Sequence, residues 1–434
     1  MFSNPSTLNR VTAQAKDDLA HILLKIEWEK YMSLTISPMI GVANQPKRTV
    51  RKLTHQNRIV EAYILNNLGP DCLIINSRPI FLKIADILIF PPSQKDQAHK
   101  YDIISRMNNQ ELVQKIISGG FINQSQARDL ILTPDKDLFS LLASADMIRQ
   151  HFKGNKIKLC AIVNAKSGRC SENCVFCAQS GHYQTEVNIY PLLSDQEMVN
   201  AAKAAEKEMS ATCFSIVTSG KTVHSSSDMQ AIGSAVKAIS NGTKMNRCVS
   251  LGTLNKEQIM ELKAAGLKRL HHNLEAAESF FPNICTTHTY QERIKTVKLA
   301  KENGLEVCSG GIFGLGETPE QRVELAFALR ELEVQSVPIN ILNPIAGTPA
   351  ADKHPPMSPF DVLRLVATYR FILPQQDVGV FGGRERSLGS LQPLMFIAGA
   401  NVTLVGDYLT TKGQAPEKDL QMIKDLGLEI DNGR

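Results

Sequence analysis

The chain has 434 residues, room for two or three average domains or for one large barrel with an appendage. Hydrophobic residues make up 43% and charged residues 21%, the range of globular proteins, so a large core is easily buried. A formal charge of +5 is small for this length and gives no reason to expect nucleic acid or an anionic membrane as a partner.

The N-terminal stretch "MFSNPSTLNRVTAQAKDD" lacks the basic-then-apolar layout of a signal peptide. The most apolar window, 72–90, contains Arg78, Pro79, Lys83 and Asp86, which argues against a membrane span. Residues 1–105 show no regular alternation; they carry a basic patch, "QPKRTVRKL" (45–53), and form an extension to which no role is assigned. Nine scattered cysteines, an odd number in a long chain, argue against a disulfide scaffold. A reducing cytoplasm fits best, and grouped cysteines there more often bind metal.

Residues 106–434 are expected to form the main domain. Amphipathic helices over 108–152 lead into it. From about residue 157, short β-rich runs alternate with segments of helical period. The strand candidates are 157–165, 212–220, 246–253, 267–275, 305–314, 336–343, 377–383 and 401–409. Helix candidates between them begin at Asp, Asn or Thr caps and several end at Gly. Eight strands, each followed by a helix, predict an α/β fold of the (β/α)8 TIM-barrel type, with an open doubly wound sheet as the competing arrangement. The barrel is preferred because polar and sulfur-bearing residues gather in and just after the strands, where barrel active sites lie.

Just after the first of these strands, "KSGRCSENCVFCAQS" places Cys170, Cys174 and Cys177 in a Cys-x3-Cys-x2-Cys spacing, with Phe176 before the third. Thiolates are soft ligands suited to iron–sulfur clusters, zinc or copper(I). A zinc knuckle would need a remote fourth ligand. A four-iron cubane on three thiolates would keep one iron open to a small molecule. This signature resembles that of the radical S-adenosylmethionine (SAM) enzymes. The resemblance implies that the three cysteines hold a [4Fe–4S] cluster whose fourth iron is chelated by SAM, and that an electron from the cluster yields a 5′-deoxyadenosyl radical.

Over about 108–434 the chain is similar to the biotin synthase family. The stretches that carry this are "GNKIKLCAIVNAKSGRCSENCVFCAQS", "SLGTL", "HHNLE", "TTHTYQER", "VCSGGIFGLGET", "VPINILNPIAGTP", "GGRE", "FIAGAN" and "GDYLTT". The implied reaction is insertion of sulfur into dethiobiotin to form biotin. A related radical SAM barrel acting on another substrate is the alternative. A reducing electron-transfer protein and a homodimer are further implications.

The family also implies an auxiliary, [2Fe–2S]-type cluster that donates the sulfur, with Cys248, Cys308 and Arg384 at matching positions. Taken alone, Arg384 reads as a buried arginine paired with a carboxylate. The remaining ligand position departs from the family: this chain has Cys213-Phe214-Ser215 where relatives have Arg-Phe-Cys. Cys213 and Ser215 lie on one face of a strand, about 7 Å apart, so three outcomes are open: Ser215 ligates through oxygen, Cys213 ligates a shifted or larger cluster, or the cluster has only three protein ligands. By the same resemblance Gly310, Gly311 and Glu317 belong to an adenosine-binding turn, Asn273 and Glu275 contact SAM or dethiobiotin, and Asn340 contacts the substrate. Phe176 accompanies the cluster loop. His271 stands where some relatives have asparagine. Cys160 is expected to be packing, and Cys285 receives no ligand role.

Overall fold

The computed structural model describes residues 108–431 with side chains and, in backbone only, four strands of the N-terminal region. The chain divides into two compact units, 1–104 and 105–434. In the first, β1 (Arg48–His55), β2 (Arg58–Leu65), β3 (Cys72–Ile75) and β4 (Arg78–Phe81) form an antiparallel sheet in sequence order. The basic stretch thus runs into a strand, and the apolar window 72–90 contains two short ones.

The second unit is a parallel barrel. Its strands are β5 (Lys156–Lys166), β6 (Cys213–Thr218), β7 (Asn246–Ser250), β8 (Arg269–His271), β9 (Glu306–Cys308), β10 (Gly311–Phe313), β11 (Ser336–Ile341), β12 (Asp377–Val380) and β13 (Val402–Leu404). β9 and β10 are one strand broken at Ser309 and Gly310, because both pair with β11. Parallel ladders run from β13 through β5, β6, β7, β8 and β9 to β11 and β12. The ends meet where Asn401 N–H donates to Val378 O at 2.9 Å and Thr403 Oγ1 donates to Val380 O at 2.9 Å. Gly379 permits that approach, since a Cβ there would lie 1.7 Å from Val402 O. Each expected strand is present: 157–165 extends by one residue at each end, 305–314 is split in two, and the others are shorter than expected.

Helices return the chain outside the sheet. Asn255 with Gln258, Thr289 with Glu292 and Thr318 with Gln321 form reciprocal caps that satisfy otherwise orphaned N–H groups. The helix Asp195–Met209 is capped by Ser194, with Asp195 its first residue. Behind the β12–β13 junction, Arg370 is fully buried. It donates to Gly399 O, Leu373 O, Pro374 O, Gln376 O and Asn401 Oδ1, at 2.7–3.1 Å. A buried guanidinium is tolerable only with its donors matched in this way. The result is a rigid lower end, which leaves the carboxyl ends of the strands to carry the site. Among the described residues no helix is long and apolar enough to cross a membrane.

Candidate active site

The cysteine loop leaves the carboxyl end of β5 and is closed on itself. Cys170 N–H donates to Gln179 O at 2.9 Å, and Gly181 N–H donates to Cys170 O at 2.7 Å. Within that neck, Cys177 N–H donates to Cys174 O and Ser180 N–H to Cys177 O, which curls the chain round the three thiols. Arg169 takes a left-handed φ of 50°, so the turn into the loop is strained.

A second segment anchors this loop. Val175 N–H donates to Ile284 O at 2.9 Å, and Asn173 Oδ1 accepts the Thr286 N–H at 2.9 Å. The buried Glu172 carboxylate accepts from Thr287 Oγ1 at 2.8 Å and pairs with His288 Nδ1 at 2.5 Å. Arg293 Nε then donates to His288 Nε2 at 3.0 Å, and its Nη1 donates to Asn273 O at 2.8 Å. The "TTHT" block, which the sequence offers only as a matching stretch, is therefore the seat of the cluster loop, tied through Arg293 to the fourth barrel strand. Cys285, also in this segment, lies against Cys174, and the hydrogen bond between them raises the Cys174 thiol and lowers that of Cys285. Burial pushes the Cys177 thiol up to about 11.

Below the loop lies a cavity of about 350 Å³, the size of a small-molecule site. Phe176, Cys177 and Gln179 line it at the loop, and Asn273, Glu275, Asn340 and Tyr408 line it along the walls. Deeper, within the strands, Cys160, Cys213, Cys248 and Cys308 all line it, with Ser215, Arg269 and His271. The register explains the convergence. Cys160 pairs with Cys213, Ser215 with Cys248, and His271 with Cys308 on adjacent parallel strands. Parallel partners project to the same face, and here that face is the interior.

Cys213 hydrogen bonds with both Cys160 and Cys248, which lowers it and raises its two neighbours. Burial pushes Cys308 up to about 12. His271 Nδ1 lies 3.3 Å from Cys308 Sγ, and burial lowers the imidazole to about 4, so it is neutral. Arg269 holds the inner positive charge, paired with Glu306 at 2.6 Å. Ser215 Oγ is buried and has no partner among the described residues. Both candidates for the departing position therefore face the same space, and Cys160, expected to be packing, joins them.

The other expected positions divide. Glu275 lines the cavity, takes a left-handed φ of 70°, and is pushed above the usual carboxylate range by burial, with Arg293 opposing. Asn273 accepts from Gly310 N–H at 3.0 Å and donates to Glu275 at 3.3 Å. Asn340 Oδ1 accepts from Gly382 N–H at 3.0 Å, which fixes it on the cavity wall. Glu317 lies outside the lining; its carboxylate accepts from Gly314 and Leu315 N–H at 2.9 and 2.8 Å and pairs with Arg322, so it shapes the glycine turn. Gly310 and Gly311 do not border the cavity either. A Cβ on Gly310 would lie 1.9 Å from Pro338 O, and one on Gly311 would lie 2.5 Å from Glu275 O. Their smallness serves strand-to-strand contact.

Arg384 is offered as a cluster ligand by resemblance, and its Nε is buried with no partner among the described residues. It does not line the cavity; it is fully buried, with its guanidinium on the two oxygens of Asp419 at 2.6 and 2.8 Å and on Leu404 O at 3.1 Å. Burial opposes its charge, and the Asp419 hydrogen bonds more than restore it. Asp419→Ala is expected to destabilise the fold by about 3–5 kcal/mol, as loss of one partner of a buried pair does, while Arg384→Met/Asp419→Leu together cost less. Denaturant unfolding with iron analysis checks this, and iron content of the double variant decides whether Arg384 is a ligand.

Comparison with known families agrees with this geometry. Residues 165–329 match the radical SAM superfamily model, and 338–429 match the biotin and thiamin synthesis associated domain. The chain is 48% identical over 321 residues to the biotin synthase of Geobacter sulfurreducens, covering 74% of this chain and 97% of that protein. It is 49% identical over 320 residues to that of Pelotomaculum thermopropionicum, covering 74% and 99%. Among solved structures, methylornithine synthase superposes with a TM-score of 0.65 over 74% of this chain and 97% of its own, at 17% identity. The hydrogenase maturase HydG from Carboxydothermus hydrogenoformans gives 0.62 over 77% and 83%, also at 17% identity, so these two share the fold. With nearly whole relatives matched at close to half their residues, and the three-cysteine loop seated over a thiol-lined barrel, the chain belongs to the biotin synthase family of radical SAM enzymes.

Proposed function

We propose that the protein inserts sulfur into dethiobiotin to form biotin, with SAM as co-substrate. The observation that carries this is the single cavity bordered above by the cysteine loop and below by four thiols on β5, β6, β7 and β9. One loop thiol, Cys177, and four strand thiols bordering one small-molecule space fit one cluster that opens the substrate and a second that supplies sulfur.

Cys170, Cys174 and Cys177 hold the [4Fe–4S] cluster in this reading. Such a cluster, with SAM bound, supplies the radical that removes hydrogen from an unactivated C–H bond. The chain's own residues position and shield that event. Phe176 screens the rim, Asn273 and Glu275 offer polar contacts to SAM or dethiobiotin, and Asn340 contacts the substrate. The inner cluster is held by thiolates drawn from Cys160, Cys213, Cys248 and Cys308. The unpartnered Ser215 hydroxyl beside them supplies a further oxygen donor. Arg269 balances the negative charge that bound iron and thiolates bring, and the neutral His271 supports Cys308.

We further propose a cytoplasmic homodimer reduced by an electron-transfer protein. All eight cysteines of the described region are free, which fits a reducing compartment. Mössbauer spectroscopy of anaerobically reconstituted protein tests the cluster assignment. Two distinct iron–sulfur species with acid-labile sulfide are expected, and the inner signal in Arg384→Met decides whether Arg384 is among its ligands. A single species, or zinc in place of iron, overturns the proposal.

A further inference from the structure

Cys285 takes no part in the two thiol sets, yet it is buried, and its sulfur, that of Cys174 and a ring nitrogen of His288 all lie within 4.8 Å of one another. Cys285 Sγ donates to Asn173 Oδ1 at 3.2 Å and lies 3.3 Å from both Thr287 Oγ1 and His288 Nδ1. It is therefore held in place against the middle cysteine of the cluster loop. The two backbone segments are also locked together on either side of the pair, by Val175 N–H to Ile284 O and by Thr286 N–H to Asn173 Oδ1. These bonds keep the two segments adjacent while the sulfurs approach from within 4.8 Å.

A single metal ion is a poor occupant of this group. His288 Nε2 already accepts a hydrogen bond from Arg293 Nε, and Nδ1 lies against Glu172, so a metal at Nδ1 would strip the imidazole of its only proton beside a guanidinium. Two facing sulfurs with nothing between them suit a different reaction.

We propose that Cys174 and Cys285 form a reversible disulfide when the loop has lost its cluster, which withdraws a loop cysteine from iron until a thiol reduces the bond. The oxidant is a peroxide. One thiol gives a sulfenic acid and water; the second sulfur attacks it, the S–S bond forms, and a second water leaves. In sum, two thiols and one hydrogen peroxide become one disulfide and two waters, each sulfur giving up one electron. The bond shields Cys174 from the irreversible sulfinic step of the same ladder. Its consequence for cluster assembly rests on the proposed role of Cys174 as a ligand; the cross-link itself does not.

The test uses the full chain, stripped of iron under anaerobic conditions, treated with one equivalent of hydrogen peroxide, alkylated and digested without reductant. The expected product joins the peptide of Cys170, Cys174 and Cys177 to that of Cys285, with fragmentation placing the bond at Cys174 and alkylation on Cys170 and Cys177. Dithiothreitol is then expected to restore iron uptake in the peroxide-treated parent sequence. In Cys285→Ala a second equivalent of peroxide is expected to carry the Cys174 sulfenic acid on to a sulfinic acid that dithiothreitol does not rescue. A bond within the loop, or Cys285 alkylated after treatment, overturns the proposal. Correct cross-linking with iron uptake unaffected would leave the disulfide standing and remove Cys174 from the cluster.

Discussion

Cys174→Ala is expected to bring 5′-deoxyadenosine formation from SAM down to background. Loss of outer partners of a metal ligand alone costs about 10- to 100-fold, and removing the ligand itself exceeds that. The substitution tests the site rather than the fold. The loop is held by the backbone neck at Cys170 and Gly181, by Glu172 on His288 and by Asn173 on Thr286, none of which uses the Cys174 side chain. The same result is expected at Cys170 and Cys177. Circular dichroism unchanged from the parent, with deoxyadenosine measured by chromatography, separates loss of chemistry from loss of structure. Undiminished SAM cleavage in Cys174→Ala would remove the loop from the reaction.

Cys308→Ala is expected to separate the two halves of the reaction. Cys308 ends β9 in the interior, where it supports nothing in the cysteine loop; its near partner is His271. SAM cleavage should therefore persist while biotin yield falls by on the order of 100-fold or more, beyond the cost of losing an outer-shell partner. Cys248→Ala should behave alike. Biotin and 5′-deoxyadenosine quantified in the same single-turnover mixture give the ratio that matters. Full biotin yield in both variants would place the sulfur source elsewhere.

The barrel was legible in the chain because its strands are short β-rich runs set between capped helices, a pattern that local sequence carries. The break between β9 and β10 was not, since it arises where Gly310 and Gly311 press against Pro338 and Glu275 of neighbouring strands. Asn273, Glu275 and Asn340, which the resemblance offers as ligand contacts, line the cavity, and Phe176 borders it. Glu317 is offered by resemblance as part of an adenosine-binding turn, and its carboxylate accepts from that turn's own N–H groups.

The sequence by itself determined the chemistry available: a Cys-x3-Cys-x2-Cys loop after the first barrel strand, a further set of interior cysteines, and an alternation that closes a barrel. Spacing along a short loop is local, so proximity of its thiols follows from chain geometry alone. Only the tertiary structure decided which distant residues share a space. Register on adjacent strands brought Cys160 to Cys213 and Ser215 to Cys248, ladder pairings that no local pattern encodes. Packing of the final helix gave Arg384 a buried carboxylate in Asp419, and folding of the "TTHT" segment onto the loop set Cys285 against Cys174. Each of these is a contact between residues far apart in the chain, fixed by how strands and helices close around one core.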